Sequence, residues 1–577
     1  MSIPKNEREV LELLESQVDS SIYETPELEH YSLGYCVKDN HITKLSLFSC
    51  GLTGIPKKIK LMSSLKEIYL RGNNLVSIPD ELCMLPSLEI LDLSENRLEA
   101  LPELISSLIK LRELHLESNR IKNLPESLGD LKSIELLDLS ENKLTKVPQS
   151  IGNLEKITTL DLSNNKLTDL PDSIGLMSSL EVLYLGNNAL KTLPKSIVSL
   201  KTLKRLNLRN NNINRLPDTF GNLNSLTSLF LKGNSLRSLP QSIGKLCSLK
   251  YLGLISNQLN SLPNAIGDLT LLENLSLSSN NLRQLPDSIG ALNALLRLEI
   301  SDNYLESLPE SIGKLSLLKI LKCEKNNLTE VPNTIGKLTA LESFKLNMNK
   351  IKELPETIGQ LKSLKELDLY DNQLIQLPET IGSLSSLETL DLEKNELSSI
   401  PESIGLLDSL LELDLSTNRL TYIPPSIGAL PLIKNLLLGF NHLKDVPKSL
   451  GFLTTLEVLD LGKNKINFIP ETIGSLTSLK HLYLYYNELK SIPDSIGSLR
   501  SLKYLYLGNN KLTEIPESIG RLKYLKYLFL RANNLTELPT TLEFSSSLKF
   551  LNIEKNNLKS YLDFIHKLEL KGIKIVK

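Results

Sequence analysis

The chain has 577 residues, 65 basic and 67 acidic side chains, a formal net charge of −2, five cysteines and no tryptophan. That length exceeds what a single globular core serves, and the even mixing of charges excludes the basic stripe that nucleic-acid or anionic-membrane binding requires. No apolar run approaches a membrane span, and Cys36, Cys50, Cys83, Cys247 and Cys323 lack the paired spacing of a disulfide or zinc framework.

The first segment, MSIPKNEREVLELLESQVDS, reads as a soluble helix over Glu7 to Val18, apolar at Val10, Leu11, Leu13, Leu14 and Val18, and not as a signal peptide. With the scattered cysteines it predicts an intracellular, cytoplasmic protein. YSLGYCV, turning through KDNH into ITKLSLF, predicts a hairpin. Residues 1–41 are therefore expected to form an N-terminal cap, the helix and first hairpin strand covering one sheet edge.

From Ile42 a pattern returns every 23 residues. In LLDLSENKLTKVPQSIGNLEKI its marks are Leu137, Leu139, Asn142, Leu144, Val147, Pro148, Ile151, Gly152 and Leu154, and they reappear from Leu160 to Gly175. Alternation about Leu137 and Leu139 predicts a short strand with leucines inward and polar residues on an open face. Asn142 stands where the chain leaves the strand, and its amide can both donate to and accept from backbone groups in the bend. Pro148 is expected in the first turn of a short helical or 3₁₀ segment. Ile151, Leu154 and Ile157 keep one face of that segment on the core. One such turn has no closed core, so stability must come from stacking neighbours. Twenty-two full repeats fill 42–547, each with its proline, from Pro56 to Pro539. Residues 548–577 read as a degenerate repeat and C-terminal cap. There Tyr561 and Leu562 replace the Leu-Pro pair, Leu562, Ile565 and Leu568 suggest a helix, and GIKIVK suggests a last strand.

The motif LPxSIGxLxxLxxLxLxxNxL, seen as LPDSIGALNALLRLEISDNYL from Leu285 to Leu305, resembles the intracellular Ras-group leucine-rich-repeat proteins. It is also similar to the repeats of Scribble-type and Roco-type proteins and of stand-alone prokaryotic solenoids. The resemblance implies an α/β solenoid, a horseshoe with one continuous parallel β-sheet on its concave face. It also implies an adaptor or scaffold, since members of that family hold small GTPases, phosphatases or kinases. The motif residues are the buried ones, so they specify the fold far more closely than any partner.

No catalytic constellation is present: GxxxxGK[ST], HExxH, GxSxG and CxxC are all missing. His30, His41, His115, His442, His481 and His566 are solitary, and the expectation is a non-enzyme with no cofactor or metal. Function is then sought on the open face, at the positions two and four residues after the first apolar residue of each repeat. Two features stand out there. An acidic ladder comprises Glu366, Asp368 and Asp371, then Asp391 and Glu393, then Glu412 and Asp414, with Lys394 and Arg419 near enough to neutralise part of it. An aromatic patch comprises His481, Tyr504, Tyr527 and Phe550 in one column and Tyr483, Tyr506 and Phe529 in the next, extended by Tyr485 and Tyr486. The expected function is docking of a protein partner on the concave face, above all on the aromatic patch, with small-GTPase-linked signalling implied by the resemblance. The competing expectation is a spacer solenoid whose rings merely stiffen its end.

Overall fold

A three-residue strand with a leucine at its centre cannot stand alone, because its apolar face and its backbone edges all need neighbours. In the computed structural model, which describes residues 3–18, 20–28, 31–559 and 562–577, each repeat meets this need through the next one. His30 and Tyr561 lie outside the described residues. The chain divides into two compact units, Met1–Leu282 and Arg283–Lys577.

In the first unit, helix α1 (Lys5–Val18) buries Val10, Leu11, Leu14 and Val18, while Leu13 stays exposed. Glu7 is the buried acid of this helix: its carboxylate meets His41 Nδ1 at 2.7 Å and accepts the Ile42 N–H at 2.8 Å. That fastens the helix to the start of the sheet. Strands β1 (Leu33–Lys38) and β2 (His41–Leu47) pair antiparallel through Asp39 and Asn40, both at positive φ, as a two-residue hairpin turn requires. From Lys44↔Glu67 onward the pairing is parallel, one short strand per repeat to Asn274–Ser276, and each register step is one full repeat.

The second unit repeats the same parallel arrangement from Arg297–Glu299 to Phe550–Asn552. It closes with helix α2 (Leu562–Leu570), which buries Ile565 and Leu568, and with the strand Lys574–Val576 parallel to Phe550–Asn552.

Three local devices recur through the turns. The first is the asparagine. Asn441 accepts the Leu420 N–H at 2.9 Å and donates to the Leu415, Leu438 and Gly439 carbonyls at 2.9, 3.2 and 3.2 Å. One buried amide thus satisfies groups on its own turn and on the preceding one. The second is the residue before it, which is left-handed in each repeat from Ser49 to Lys555, and Thr417 and Phe440 both lie at φ 56. This kink turns the asparagine inward.

The third is a close approach. A Cβ on Gly382 would sit 2.1 Å from the Ser403 carbonyl oxygen of the following turn, so the glycine lets one return segment lie against the next. Val198 occupies the equivalent place, and the following 3₁₀ turn is cut to Phe220–Asn222, with Thr219 at φ −94 and ψ 14. A branched side chain there displaces the backbone that glycine would admit. The prolines stand one residue earlier than expected: Pro148 is extended at φ −65, ψ 154, just ahead of the 3₁₀ turn Gln149–Asn153, and its carbonyl accepts the Ile151 N–H at 3.2 Å.

Two substitutions on neighbouring residues separate these devices. Asn418→Ala should destabilise the second unit by about 3 kcal/mol, because several buried backbone groups lose their partner at once. Thr417→Gly should instead stabilise it by about 1 kcal/mol, since a β-branched residue in the left-handed region is strained. Urea denaturation of the two variants reads both signs.

Candidate functional site

Each repeat strand in the second unit puts its central residue, leucine or in one case Phe344, inward and two side chains outward, forming a leading and a trailing row across the sheet. Parallel registration carries His481 to Tyr504, Tyr527 and Phe550 in the leading row, and Tyr483 to Tyr506 and Phe529 in the trailing row. Neighbouring strands lie about 4.8 Å apart, close to the spacing of stacked rings. The rings use it. His481 stacks on Tyr504 at 4.5 Å, and Tyr504 on Tyr527 at 4.7 Å with planes 2° apart. Tyr483 stacks on Tyr506 at 4.7 Å, and Tyr506 on Phe529 at 4.3 Å. Phe550 tilts toward both Tyr527 (6.3 Å) and Phe529 (5.1 Å) and joins the rows.

This packing changes the surface expected from sequence. Ring faces cover one another and the rings are half-buried. Edges and tyrosine hydroxyls therefore form most of what solvent meets. Burial, then the charge of Asp460, raises the Tyr483 hydroxyl above its ordinary pKa, so it remains a proton donor through the physiological range. His481 Nδ1 is buried without a hydrogen-bond partner, and burial followed by Lys503 and Lys480 lowers the imidazole pKa. The ring acts as a neutral stacking surface.

Tyr485 and Tyr486 have a different origin. Tyr485 meets the edge of Tyr483 at 6.4 Å and lies across Gly462, where a Cβ would come within 2.4 Å of its ring. Tyr486 occupies the left-handed position, φ 53, and is the most exposed of the set at 53%. Lys463 sits over it at 5.5 Å and over Phe440 at 4.1 Å.

The acidic ladder is only partly a unit. Asp368, Asp391 and Asp414 are direct neighbours in the trailing row, whereas Thr389 separates Glu366 from Glu412 in the leading row. Lys394 meets Asp371 at 2.7 Å as expected, but Arg419 pairs with Glu396 at 3.0 Å and leaves the ladder alone. Glu366 is offset by Lys345 at 2.7 Å and Ser343 at 2.8 Å. Burial raises its carboxyl, and these contacts outweigh it, leaving the pKa lowered.

The three aspartates also have a structural duty that the repeat pattern hides. Asp368, Asp391 and Asp414 accept the N–H of Tyr370, Glu393 and Ser416 at 3.1, 2.9 and 2.8 Å. Each caps the backbone where the strand ends. The signal was in the sequence as Leu-Asp-Leu-x ahead of each bend, a short polar side chain two residues before a free N–H.

Burial is also the main reason the Asp391 carboxyl is raised to about 7. The Glu393 N–H opposes this, while Asp414, Asp368 and Glu393 add to it. Asp368 and Asp414 are raised in the same direction, burial again first. Because the folded value lies above the unfolded value near ~3.9, this contribution to stability is complete at low pH and is lost as pH rises through about 7. Asp391→Asn keeps the acceptor for the Glu393 N–H and removes the charge. It should stabilise the second unit by about 1 kcal/mol at pH 8, after allowance for solvent screening, with no gain below about pH 4. Paired denaturation curves at the two pH values test this, and an equal gain at both would refute it.

Of the histidines, His115 meets Glu113 of its own strand at 3.3 Å and His442 Nδ1 the Asn441 carbonyl at 3.1 Å. Among the described residues no group of three His, Cys, Asp or Glu could hold a metal ion, and no helix is long and apolar enough to cross a membrane. One feature escaped the sequence reading: Arg205, Arg209 and Phe230 cluster on the open face of the first unit. Tracing the leading and trailing rows through that unit would have brought them together.

A parallel strand, an asparagine bend and a 3₁₀ return, recurring turn after turn, define a repeat solenoid. Family models agree. The leucine-rich repeat region model matches residues 102–188, 157–238, 232–305 and 295–373. Other leucine-rich-repeat models match 40–98 and 431–489, 363–384, 386–407 and 409–430, and 477–523. The chain belongs to the leucine-rich-repeat proteins.

No curated protein matches it significantly. Among solved structures it is similar to the plant peptide hormone receptor RGFR1 in complex with RGF2, at 29% identity and TM-score 0.66, over 93% of this chain and 91% of that one. It is similar to the Arabidopsis receptor kinase HAESA, solved with the peptide hormone IDA and the co-receptor SERK1, at 27% identity and TM-score 0.62, over 94% and 91%. YopM from Yersinia enterocolitica matches at 26% identity and TM-score 0.52, over 90% and 88%. Domains of this kind are generally binding modules without enzymatic activity.

Proposed function

We propose that the chain is an intracellular recognition protein that docks a protein partner on the aromatic rows of its second unit. One observation carries this reading: seven half-buried rings from four consecutive strands share one open face, and Tyr485 and Tyr486 extend it. Tyrosine combines large contact area, a hydroxyl and only two torsions to immobilise, which suits it to binding hot spots. The intracellular location draws support from five free cysteines, three of them buried. A small GTPase as partner rests on the motif resemblance alone. The complexes formed by RGFR1 and HAESA support docking of a protein or peptide in general terms.

The spacer reading has its own observation, the mutual covering of ring faces at 4.3 to 4.7 Å, which stiffens four adjacent turns. Tyr506→Phe and Tyr506→Ala separate the two. The phenylalanine keeps the stack and deletes the hydroxyl, while the alanine removes both. For docking, quantitative affinity capture from source-cell lysate should show the retained partner weakened by about 2 kcal/mol with alanine and by about 1 kcal/mol with phenylalanine. Alanine should also cost about 1 kcal/mol of stability through the lost stacking. If both variants retain the same proteins as the parent and only stability falls, the rings are structural and the docking reading is wrong.

A further inference from the structure

The first unit gathers arginines and aromatic rings on its open face. Registration sets Val182, Arg205, Ser228 and Tyr251 in the leading row, and Tyr184, Asn207, Phe230 and Gly253 in the trailing row. Arg205 Cζ lies 5.1 Å from the centre of the Phe230 ring and 5.9 Å from that of Tyr184, and Arg209 Cζ lies 4.4 Å from Phe230. Tyr251 backs Phe230 at 4.7 Å. The rings hold both guanidiniums in place.

These arginines have no carboxylate. Elsewhere on the strand faces, Arg71 meets Glu95 and Glu117 at 2.6 and 2.9 Å, Arg297 meets Glu299 at 2.5 Å, and Arg531 meets Glu554 at 3.4 Å. Nearby entry-edge lysines are paired as well, Lys204 with Glu181 at 2.8 Å and Lys250 with Glu273 at 2.9 Å. Among the described residues Arg205, Arg209 and the exposed Lys232 form no such pair, and Arg209 Nε is buried without an acceptor. Across the four strands from Val182 to Gly253, the outward positions and the exit positions Gly186, Asn187, Arg209, Asn210, Lys232, Gly233, Ile255 and Ser256 contain no acid. Two guanidiniums close to one ring and without a carboxylate repel each other, and an anion bound by both offsets that repulsion.

We infer that Arg205, Arg209 and Lys232 form a docking site for an extended acidic segment of a protein partner. Planar guanidinium forks, fixed at their faces by rings, present their N–H edges to carboxylates in the bidentate geometry that arginine favours. A nucleic acid fits less well, because guanidiniums and neighbouring rings already occupy the faces on which bases would stack. The site belongs to the first unit, and the aromatic rows belong to the second.

Fluorescence anisotropy with the full chain tests it, using a short labelled peptide of alternating Glu and Leu, its Gln-for-Glu counterpart and a short oligothymidylate. The Glu peptide should bind at least about tenfold more tightly than the Gln peptide. Arg205→Gln with Arg209→Gln should weaken it about tenfold or more, and Lys232→Gln, which leaves the ring stack untouched, about threefold. Tyr506→Ala should leave this affinity unchanged, so failure here and failure of the aromatic docking reading are distinct results. Equal binding of the Gln peptide, full affinity in the arginine variant, or tighter binding of the oligothymidylate would each overturn the inference.

Discussion

The structure depends on a buried amide that serves two turns at once. Each ladder asparagine satisfies backbone donors and acceptors that the bend would otherwise bury unpaired, as Asn142 does for Ile121, Leu116, Leu139 and Ser140. Unpaired buried backbone groups cost about 1–3 kcal/mol each, so from Asn73 to Asn556 this residue carries the bend, and only the first turn makes it with Cys50 instead. Its regular placement fixes the strand exit, and the exit fixes which side chains face outward. The left-handed residue before it and the glycine of the return segment adjust the same turn, the first in torsion and the second in clearance.

With the interior so constrained, variation is confined to a few outward positions. Polar, charged or aromatic residues are all tolerated there, and the aspartates and asparagines among them also cap the strand end. The two units have used this freedom differently. The second gathers rings and weakly paired acids, and the first gathers guanidiniums on rings. The fold is indifferent to these choices, so they are the part of the molecule on which a partner can act.

The aromatic rows show how stacking alters what exposure means. Tyr504 and Tyr527 are outward-facing by register, yet each covers the other at 4.7 Å. A ring in such a row contributes to rigidity and to surface together. Rings held by such stacking have little side-chain freedom left to lose. The acidic row is shaped by a similar double duty, since Asp391 serves the Glu393 N–H while desolvation raises its pKa.

The amino-acid sequence by itself determined the period, the strand and its inward leucines, the bend asparagine and the outward columns, because a strict repeat converts spacing directly into position. It also placed His481, Tyr504 and Tyr527 in one row, and Tyr483, Tyr506 and Phe529 in another. It did not reveal that Arg419 turns to Glu396, that Tyr485 rests on Gly462, or that Arg205 and Arg209 close on Phe230. Register says which residues are neighbours. Side-chain torsions choose among those neighbours, and that choice depends on charge, ring shape and clearance in several turns at once, which only the assembled tertiary structure decides.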